Sequence, residues 1–290
     1  MMGALHSERT RRVASSLLQA GAMGFGGLSA WVLIYLSARL SRDSLALVAA
    51  TLIAAPALAV FVAPRQAHIR GGTFRATMRR IWCEFKITFF RWDALPYAAC
   101  MTFPIGTGAA IGLLPGVALQ YGVNGDQVAW INGLFGGLLI AAGAGAMSLI
   151  RSRIRAPVLY MIVALVNCVC LSILCFGPMR PTIYYLGTLL YLFTVGSCYA
   201  MFTAVVLEFL GDSGKSGSMR YSIINSLGNI PVLYMLQVDG WGGEHWGARG
   251  LAGAEALVGA IGALVLLAWL LIRKPARVSL VSEQAIVLER

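Results

Sequence analysis

The stretch SLGNIPVLYMLQVDGWGGEHWGARGL, Ser226–Leu251, decides how the second half of this chain folds. It starts like an apolar membrane helix, but Gly228, Asn229 and Pro231 interrupt it. Because proline has no N–H, Pro231 leaves the carbonyl of Leu227 without its helical donor. Membranes tolerate such broken backbone only where it faces protein or a wet cavity. The pattern therefore predicts a helix bent at Gly228 and Pro231 over a polar cavity.

The end of the same stretch is rich in glycine and tryptophan. Gly240, Gly242 and Gly243 predict an external turn, because glycine adopts turn conformations at no steric cost. Trp241 and Trp246 suit the membrane–water interface, where aromatic side chains are enriched. We expect the chain to reverse direction at these three glycines before the last apolar run begins.

The composition predicts an all-α membrane protein. Of the 290 residues, 58% are hydrophobic and 12% are charged, with a mean hydropathy of +0.75. A soluble domain carries about 25% charged residues. Apolar runs of about 20 residues, each long enough to cross a bilayer, recur along the chain. Eight transmembrane helices are predicted in the lipid bilayer, at 13–38, 44–63, 95–120, 127–150, 156–177, 182–210, 219–238 and 250–272.

The basic residues predict the orientation of these spans. All 23 Lys and Arg lie between the apolar runs or at their edges. With the N-terminus in the cytoplasm, only Arg39, Arg42, Arg180 and Arg249 fall on the outer side. This bias predicts that both termini are cytoplasmic and that the number of spans is even. The same distribution argues against a nucleic-acid partner despite the net charge of +11, because the positive charges flank membrane runs.

The longest connection divides the chain into two units. Residues 64–94 form a basic cytoplasmic linker, and FRATMRRIWCEFKITFFRW within it suits an amphipathic helix on the anionic inner leaflet. A plain solvated linker is the alternative. Residues 1–63 then carry two helices, residues 95–272 carry six, and residues 273–290 form a cytoplasmic tail.

The sequence predicts neither an enzyme nor a cofactor. The loop GDSGKSG resembles a phosphate-binding loop, but Phe209 stands where that motif requires glycine. No HExxH or GxSxG motif occurs, and the cysteines form no CxxC pair, so neither a metal site nor a disulfide framework is predicted.

Two acidic residues lie within the predicted spans. Glu208 is near the cytoplasmic end of its span, and Glu255 is one to two turns in from the outer end. An ionisable residue inside a membrane is a functional candidate, so both are proton-coupling candidates. The alternatives are an interfacial carboxylate for Glu208 and, for Glu255, a helix-start acid that faces the helix dipole.

Neutral polar residues on two neighbouring spans predict a solute site. Tyr191 and Thr194 lie on the sixth span, and Asn225 and Asn229 share one face of the seventh because they are four residues apart. Together they suit a polar cavity for a small organic solute. Each alone is also explained by hydrogen bonding between packed helices.

Small residues predict close helix packing. Gly108, Gly112 and Gly116 would share one helical face, as would Gly133 and Gly137. Such faces let helix backbones approach each other in lipid, as static contacts or as sliding surfaces.

The opening stretch resembles major facilitator superfamily transporters of the muropeptide-permease and siderophore-permease group. That group carries a GN-x-P-x-x-Y-M…DG…WG-x-x-GLL run in its eleventh and twelfth helices. The first span, LLQAGAMGFGGLSAWV, resembles the glycine-rich fifth helix of the group through Gln19, Gly21, Gly24, Gly26 and Gly27. In the opening stretch the matching residues are Gly228, Asn229, Pro231, Tyr234, Met235, Asp239, Gly240, Trp246, Gly247, Gly250 and Leu251.

The resemblance implies a partial facilitator fold: the last two helices of the N-terminal half followed by the complete six-helix C-terminal half. It implies a permease of a bacterial inner membrane that moves a muropeptide or siderophore by alternating access, with proton symport. Two departures stand out. The first four helices of the family are absent, and Arg151 and Arg153 occupy a loop where the family carries an aspartate. An inactive truncated fragment and a subunit completed by another chain are the alternatives.

Overall fold

The computed structural model describes residues 8–37, 39–55, 94–150, 154–210 and 217–272, together with single residues between 73 and 86. Every regular element in these ranges is helical. Two 3₁₀ turns, Ala109–Gly112 and Ala118–Tyr121, and a π-helix, Ala129–Phe135, join some of the α-helices. The α-helices are α1 (Glu8–Ser37), α2 (Arg42–Ala54), α3 (Leu95–Thr102), α4 (Leu114–Val117), α5 (Gly125–Val128), α6 (Gly136–Ala146), α7 (Ala156–Phe176), α8 (Pro181–Leu210), α9 (Gly217–Leu227) and α10 (Asn229–Ile272).

The prediction of a multi-pass, all-α membrane protein is confirmed in outline, but the number of spans differs. Of the described residues, five segments are long and apolar enough to cross a membrane, not eight. The predicted span 44–63 extends past residue 55, and the rest of it lies outside the described residues. The five segments are Val13–Leu33, Gly125–Ala146, Ala156–Phe176, Pro181–Leu210 and Tyr221–Ile272.

Several helix starts follow from local sequence. Pro157 lies in the first turn of α7 and Pro181 is the first residue of α8, where the missing N–H costs nothing. At α5, the Asn124 side chain accepts from the Gln127 N–H while the Gln127 side chain accepts from the Asn124 N–H. This reciprocal capping box fixes the start of the helix.

The long helix α8 is the centre of the bundle, and it packs against α1, α6 and α7. Small residues allow the closest approaches. A Cβ on Gly143 of α6 would overlap the backbone carbonyl of Phe193, and one on Gly196 would overlap the carbonyl of Ile140. With no hydrophobic drive between helices in lipid, such close backbone contact is a main source of association.

Helix α1 packs along α6 and α8, so the two-helix unit 1–63 is joined to the later helices through α1. A Cβ on Gly27 would overlap Cα of Gly137, and a Cβ on Gly24 would lie 3.3 Å from Cβ of Ala141. The predicted close-packing role of Gly137 is therefore confirmed, and its partner is the glycine-rich first span.

The prediction of one continuous helix at 95–120 is wrong. Helix α3 ends at Thr102, and the following irregular segment, residues 103–108, contains two left-handed glycines, Gly106 (φ 55°) and Gly108 (φ 69°). An α-helix cannot continue through such dihedrals. The predicted glycine face is wrong for the same reason, since Gly112 and Gly116 meet nothing within 4 Å.

Helix α10 is a hairpin of two helical arms, residues 229–246 and 248–272. They are joined at Gly247, whose φ of 63° and ψ of −150° lie in a region that only glycine occupies readily. The N–H of Ala248 opens the second arm and donates to Oε1 of Gln120 at 2.8 Å. Gln120 therefore caps the start of the second arm.

The predicted turn at Gly240, Gly242 and Gly243 is wrong, because these residues lie within the first helical arm of α10. A Cβ on Gly242 would stand 2.6 Å from the carbonyl oxygen of Gly250 on the other arm. Gly242 therefore lets the two antiparallel arms touch. The reversal itself needs a positive φ, and within the described part of the stretch only Gly247 supplies one.

Most of the linker at residues 64–94 lies outside the described residues, as do the tail 273–290 and the loop 211–216. Within the described part of the linker, Trp82 stacks on Phe85 with ring centroids 5.8 Å apart. The Lys86 amine lies 5.4 Å from the centre of the Trp82 ring. The amphipathic helix stays a prediction.

Candidate functional site

A cavity of about 240 Å³ lies inside the bundle. Its wall is formed by α1, the end of α3, the irregular segment, α7, α8 and the α9–α10 junction. Amide side chains come from Gln19, Asn225 and Asn229, and a hydroxyl comes from Thr107. None of the described residues that line the cavity is charged. The rest of the wall is mainly apolar, with aromatic rings from Phe103, Tyr160, Tyr199 and Phe202 and smaller apolar side chains from Met23, Met101, Ile105 and Val232.

One side of the cavity is the junction of two helices. Helix α9 ends at Leu227 and α10 begins at Asn229, with Gly228 alone between them. A Cβ on Gly228 would lie 2.5 Å from the ring of Phe202, so glycine also permits the close contact with α8. Asn225, Asn229, Gly228 and Pro231, all predicted site residues, line the cavity together.

The irregular segment forms another side of the cavity, and tyrosine hydroxyls satisfy two of its backbone carbonyls. Because this backbone is not helical, its carbonyls need donors from elsewhere in the protein. Tyrosines from α7 and α8 supply them, and a tyrosine from α10 donates to the last residue of α3. Tyr160 donates to the carbonyl of Ile105, Tyr199 to that of Thr107 at 3.0 Å, and Tyr234 to that of Thr102 at 2.8 Å.

Glu255, on the second arm of α10, is 4% exposed and accepts three hydrogen bonds. The Tyr191 hydroxyl donates to its Oε1 at 2.8 Å, and the Thr107 hydroxyl donates to the same oxygen at 3.1 Å. The N–H of Ala110 donates to Oε2 at 2.7 Å. Thr107 therefore lies between the cavity, which it lines, and a buried carboxyl group.

Asp239, on the first arm of α10, is fully buried beside Glu255. No donor from another described residue reaches either of its oxygens. The Glu255 carboxyl group lies within hydrogen-bonding reach of it, and the Tyr191 side chain is also near. Positions 239 and 255 are equally far from Gly247, so the hairpin brings the two carboxyl groups together. Sequence analysis missed Asp239, because a turn at Gly240–Gly243 placed it at the end of a span.

Glu208 lies near the other end of the bundle. Its Oε1 accepts from the Tyr97 hydroxyl at 3.1 Å, and its Oε2 accepts from the N–H of Ala156 at 3.3 Å. Ala156 is the first residue of α7, so the carboxylate faces the positive end of a helix dipole. At 1.5 Å per residue, Glu208 is about 25 Å along α8 from Tyr191. The two predicted proton-coupling candidates are therefore far apart, and only Glu255 adjoins the cavity wall.

We expect Glu208→Ala to lower the free energy of unfolding by about 1–2 kcal/mol, because the Tyr97 hydroxyl and the Ala156 N–H lose their acceptor. Thermal unfolding of the detergent-solubilised chain measures the change. Glu244→Ala is the matched control, since Glu244 is exposed. Equal stability of the two variants would contradict the capping role of Glu208.

The structure separates the four predicted solute contacts into two pairs. Asn225 and Asn229 line the cavity, whereas Tyr191 and Thr194 do not. Tyr191 donates to Glu255, and Thr194 accepts from Nδ2 of Asn167 at 2.8 Å. The second pair thus joins neighbouring helices, which is the alternative that the sequence left open.

No group of three or more His, Cys, Asp or Glu side chains is placed to hold a metal ion in the part of the chain that the structure describes. No known protein family and no curated protein matches the chain. The resemblance to facilitators therefore rests on the residues quoted above, and the site is argued from its own geometry.

Proposed function

We propose that the chain is a membrane transporter of the major facilitator type that binds an organic solute in the cavity and moves it by alternating access. The observation that carries this proposal is an uncharged cavity with three amide side chains in a mainly apolar wall, bounded by two interrupted helices within an apolar helical bundle. Interrupted helices at a central binding site are typical of secondary transporters.

The proposal includes eight membrane crossings. The two arms of α10 cross separately, which divides the segment Tyr221–Ile272 in two. Residues 95–121 cross as a broken helix that surrounds the irregular segment, and residues 44–63 supply one more crossing. The charge distribution favours cytoplasmic termini, and the resemblance to facilitators implies a bacterial inner membrane.

The cavity lining favours a neutral group that carries hydroxyls or amides. Gln19, Asn225 and Asn229 offer donors and acceptors, while Tyr199 and Phe202 offer flat faces for a ring. The volume of about 240 Å³ is below the roughly 300–1,000 Å³ of drug-sized pockets. The cavity therefore receives one ring or side group of a larger solute. A muropeptide, with sugar hydroxyls and acetamido groups, is the first solute to test, and a siderophore is the second.

Uptake into proteoliposomes tests the proposal. The purified full chain is reconstituted, a proton gradient is imposed, and uptake of a radiolabelled muropeptide and a labelled siderophore is measured. We expect gradient-driven uptake of one of them, abolished by a protonophore. No uptake by a folded, inserted chain contradicts transport by this form. Uptake that needs four further N-terminal helices, or a second chain found by cross-linking, assigns the activity to a larger assembly.

We expect Asn229→Ala to lower uptake roughly 5- to 30-fold without blocking insertion, because it removes an amide worth about 1–2 kcal/mol in solute binding. Uptake per inserted molecule is the measurement. Gln237→Ala is the matched control, because Gln237 lies two turns further along the same helix, is exposed and does not line the cavity. Normal uptake by Asn229→Ala would remove Asn229 from the site.

A further inference from the structure

The carboxyl groups of Asp239 and Glu255 lie together in a buried place, and none of the described basic residues acts on either of them. Among the described residues, Glu255 is the charged group that acts on Asp239. The other titratable side chains that face the pair are Tyr191 and Tyr199 from α8, with Cys168 of α7 and Cys198 of α8 close to Glu255. Two adjacent buried carboxylates cannot both be ionised without a large electrostatic cost. One shared proton removes that cost, as it does in other carboxyl pairs.

The hydrogen bonds favour Glu255 over Asp239 as the member that carries the charge. Glu255 accepts from two hydroxyls and one backbone N–H, and donors of this kind stabilise a carboxylate. Asp239 receives no donor from the described residues, so nothing of that kind stabilises its ionised form. A protonated Asp239 has an O–H to donate, and the Glu255 carboxylate is the acceptor within its reach.

We propose that Asp239 and Glu255 form a site for one proton, carried by Asp239 and held by a hydrogen bond to ionised Glu255. The arms of the α10 hairpin build this site, and it lies outside the cavity wall. From sequence, Glu208 and Glu255 were the proton-coupling candidates, and Asp239 was not among them. The pair adds the group that holds the proton and defines the role of Glu255 as its acceptor.

Thr107 connects the proton site to the cavity. Its hydroxyl contacts Glu255, while its carbonyl accepts from Tyr199 and the residue itself lines the cavity. Loss of the proton leaves two charges in contact, and their repulsion moves Glu255 relative to Thr107 and Ala110. Such movement displaces the cavity wall, so proton binding and solute binding affect each other reciprocally. This coupling rests on the proposed transport function, whereas the proton site does not.

Infrared spectroscopy of the full chain in lipid bilayers tests the proton site without any solute. We expect a C=O stretching band of a buried, protonated carboxyl group at neutral pH that disappears at alkaline pH. Labelling aspartate carboxyl carbons with ¹³C will shift this band, and labelling glutamate carboxyl carbons will leave it in place. A missing band at neutral pH, or a band that moves with the glutamate label, overturns the assignment.

Variants locate the proton on the named residue. Asp239→Asn keeps an N–H donor to Glu255 but cannot itself titrate, so the band will be lost at neutral pH while the chain stays folded. Glu208→Gln is the control and will keep the band, because Glu208 caps α7 instead.

If Asp239→Asn does not fold, Thr107→Val replaces it. Removing one donor from Glu255 disfavours the doubly ionised pair, so the band will persist to higher pH than in the wild type. A band retained in folded Asp239→Asn, or titrating unchanged in Thr107→Val, overturns the proposal.

Measurements on the same sample distinguish proton binding from sodium binding. They also test the proton site independently of transport. Exchanging potassium for sodium at constant pH will leave the band unchanged, and loss of the band in sodium overturns proton binding in favour of a metal cation. A normal band in a chain that takes up no solute supports the proton site and contradicts only transport. Uptake with no such band contradicts only the proton site.

Discussion

Gly247→Ala is expected to destabilise the folded chain by about 2–4 kcal/mol. The φ of 63° and ψ of −150° at Gly247 lie in a region that costs other residues about 1–3 kcal/mol. An added Cβ would also lie 2.6 Å from Oε1 of Gln120, the atom that accepts from the Ala248 N–H. Displacing that oxygen removes the cap of the second arm and adds about 1 kcal/mol.

Thermal unfolding in a mild detergent measures this loss, and Gly240→Ala is its matched control. Gly240 lies in the same hairpin within a helical arm, and a Cβ there meets nothing within 4 Å. Alanine at this helical position is expected to add about 0.5–1 kcal/mol of stability. Equal stability of the two variants would show that the chain does not reverse at Gly247.

Gly143→Ala is expected to weaken the contact between α6 and α8, with a loss of about 1–3 kcal/mol or more. The added methyl group would overlap the backbone carbonyl of Phe193. A backbone atom cannot rotate away as a side chain can, so the two helices must separate. That separation also disturbs Ser197, whose hydroxyl donates to the carbonyl of Gly143 at 3.0 Å.

Gly145→Ala provides the control for this second prediction, since Gly145 is two residues further along α6 and meets nothing within 4 Å. Resistance to unfolding in increasing concentrations of a denaturing detergent measures both variants. We expect Gly145→Ala to match or exceed the wild type. A loss that is equal in both variants would contradict a specific role for the contact between Gly143 and Phe193, because alanine by itself favours a helix over glycine.

The uninterrupted spans could be predicted closely from sequence. The predicted ranges 156–177 and 182–210 match α7 (Ala156–Phe176) and α8 (Pro181–Leu210) within one residue at each end. Both are long apolar runs, and a proline in the first turn marks each start. Hydropathy and helix-start signals are sufficient to predict the bounds of a span where tertiary contacts favour the same conformation as the local sequence.

The run at 95–120 was mispredicted because hydropathy measures composition and not backbone conformation. Gly106 and Gly108 would be acceptable in a membrane helix, where glycine is common. Here they adopt positive φ because distant tyrosines on α7 and α8 accommodate the broken backbone. Those partners lie more than 50 residues away in the chain. No local pattern identifies them.

The site was predicted only in part for a similar reason. The spacing of Asn225 and Asn229 around a glycine and a proline was enough to indicate a cavity wall. The pairing of Asp239 with Glu255 depends on where the chain reverses, and several glycines in the stretch could have been that point. Only the backbone dihedrals of Gly247 identify the reversal.

Asp239 and Glu255 are equally far from Gly247 along the chain, so their contact depends on the length and the helical phase of both arms. Deleting one residue from either arm would shift that arm by about 1.5 Å and turn its carboxyl group by about 100° relative to its partner. Inserting three or four residues in one arm would restore the phase but slide the groups about 5 Å apart. The contact between the two carboxyl groups therefore depends on the length of both arms as much as on the two acidic residues themselves.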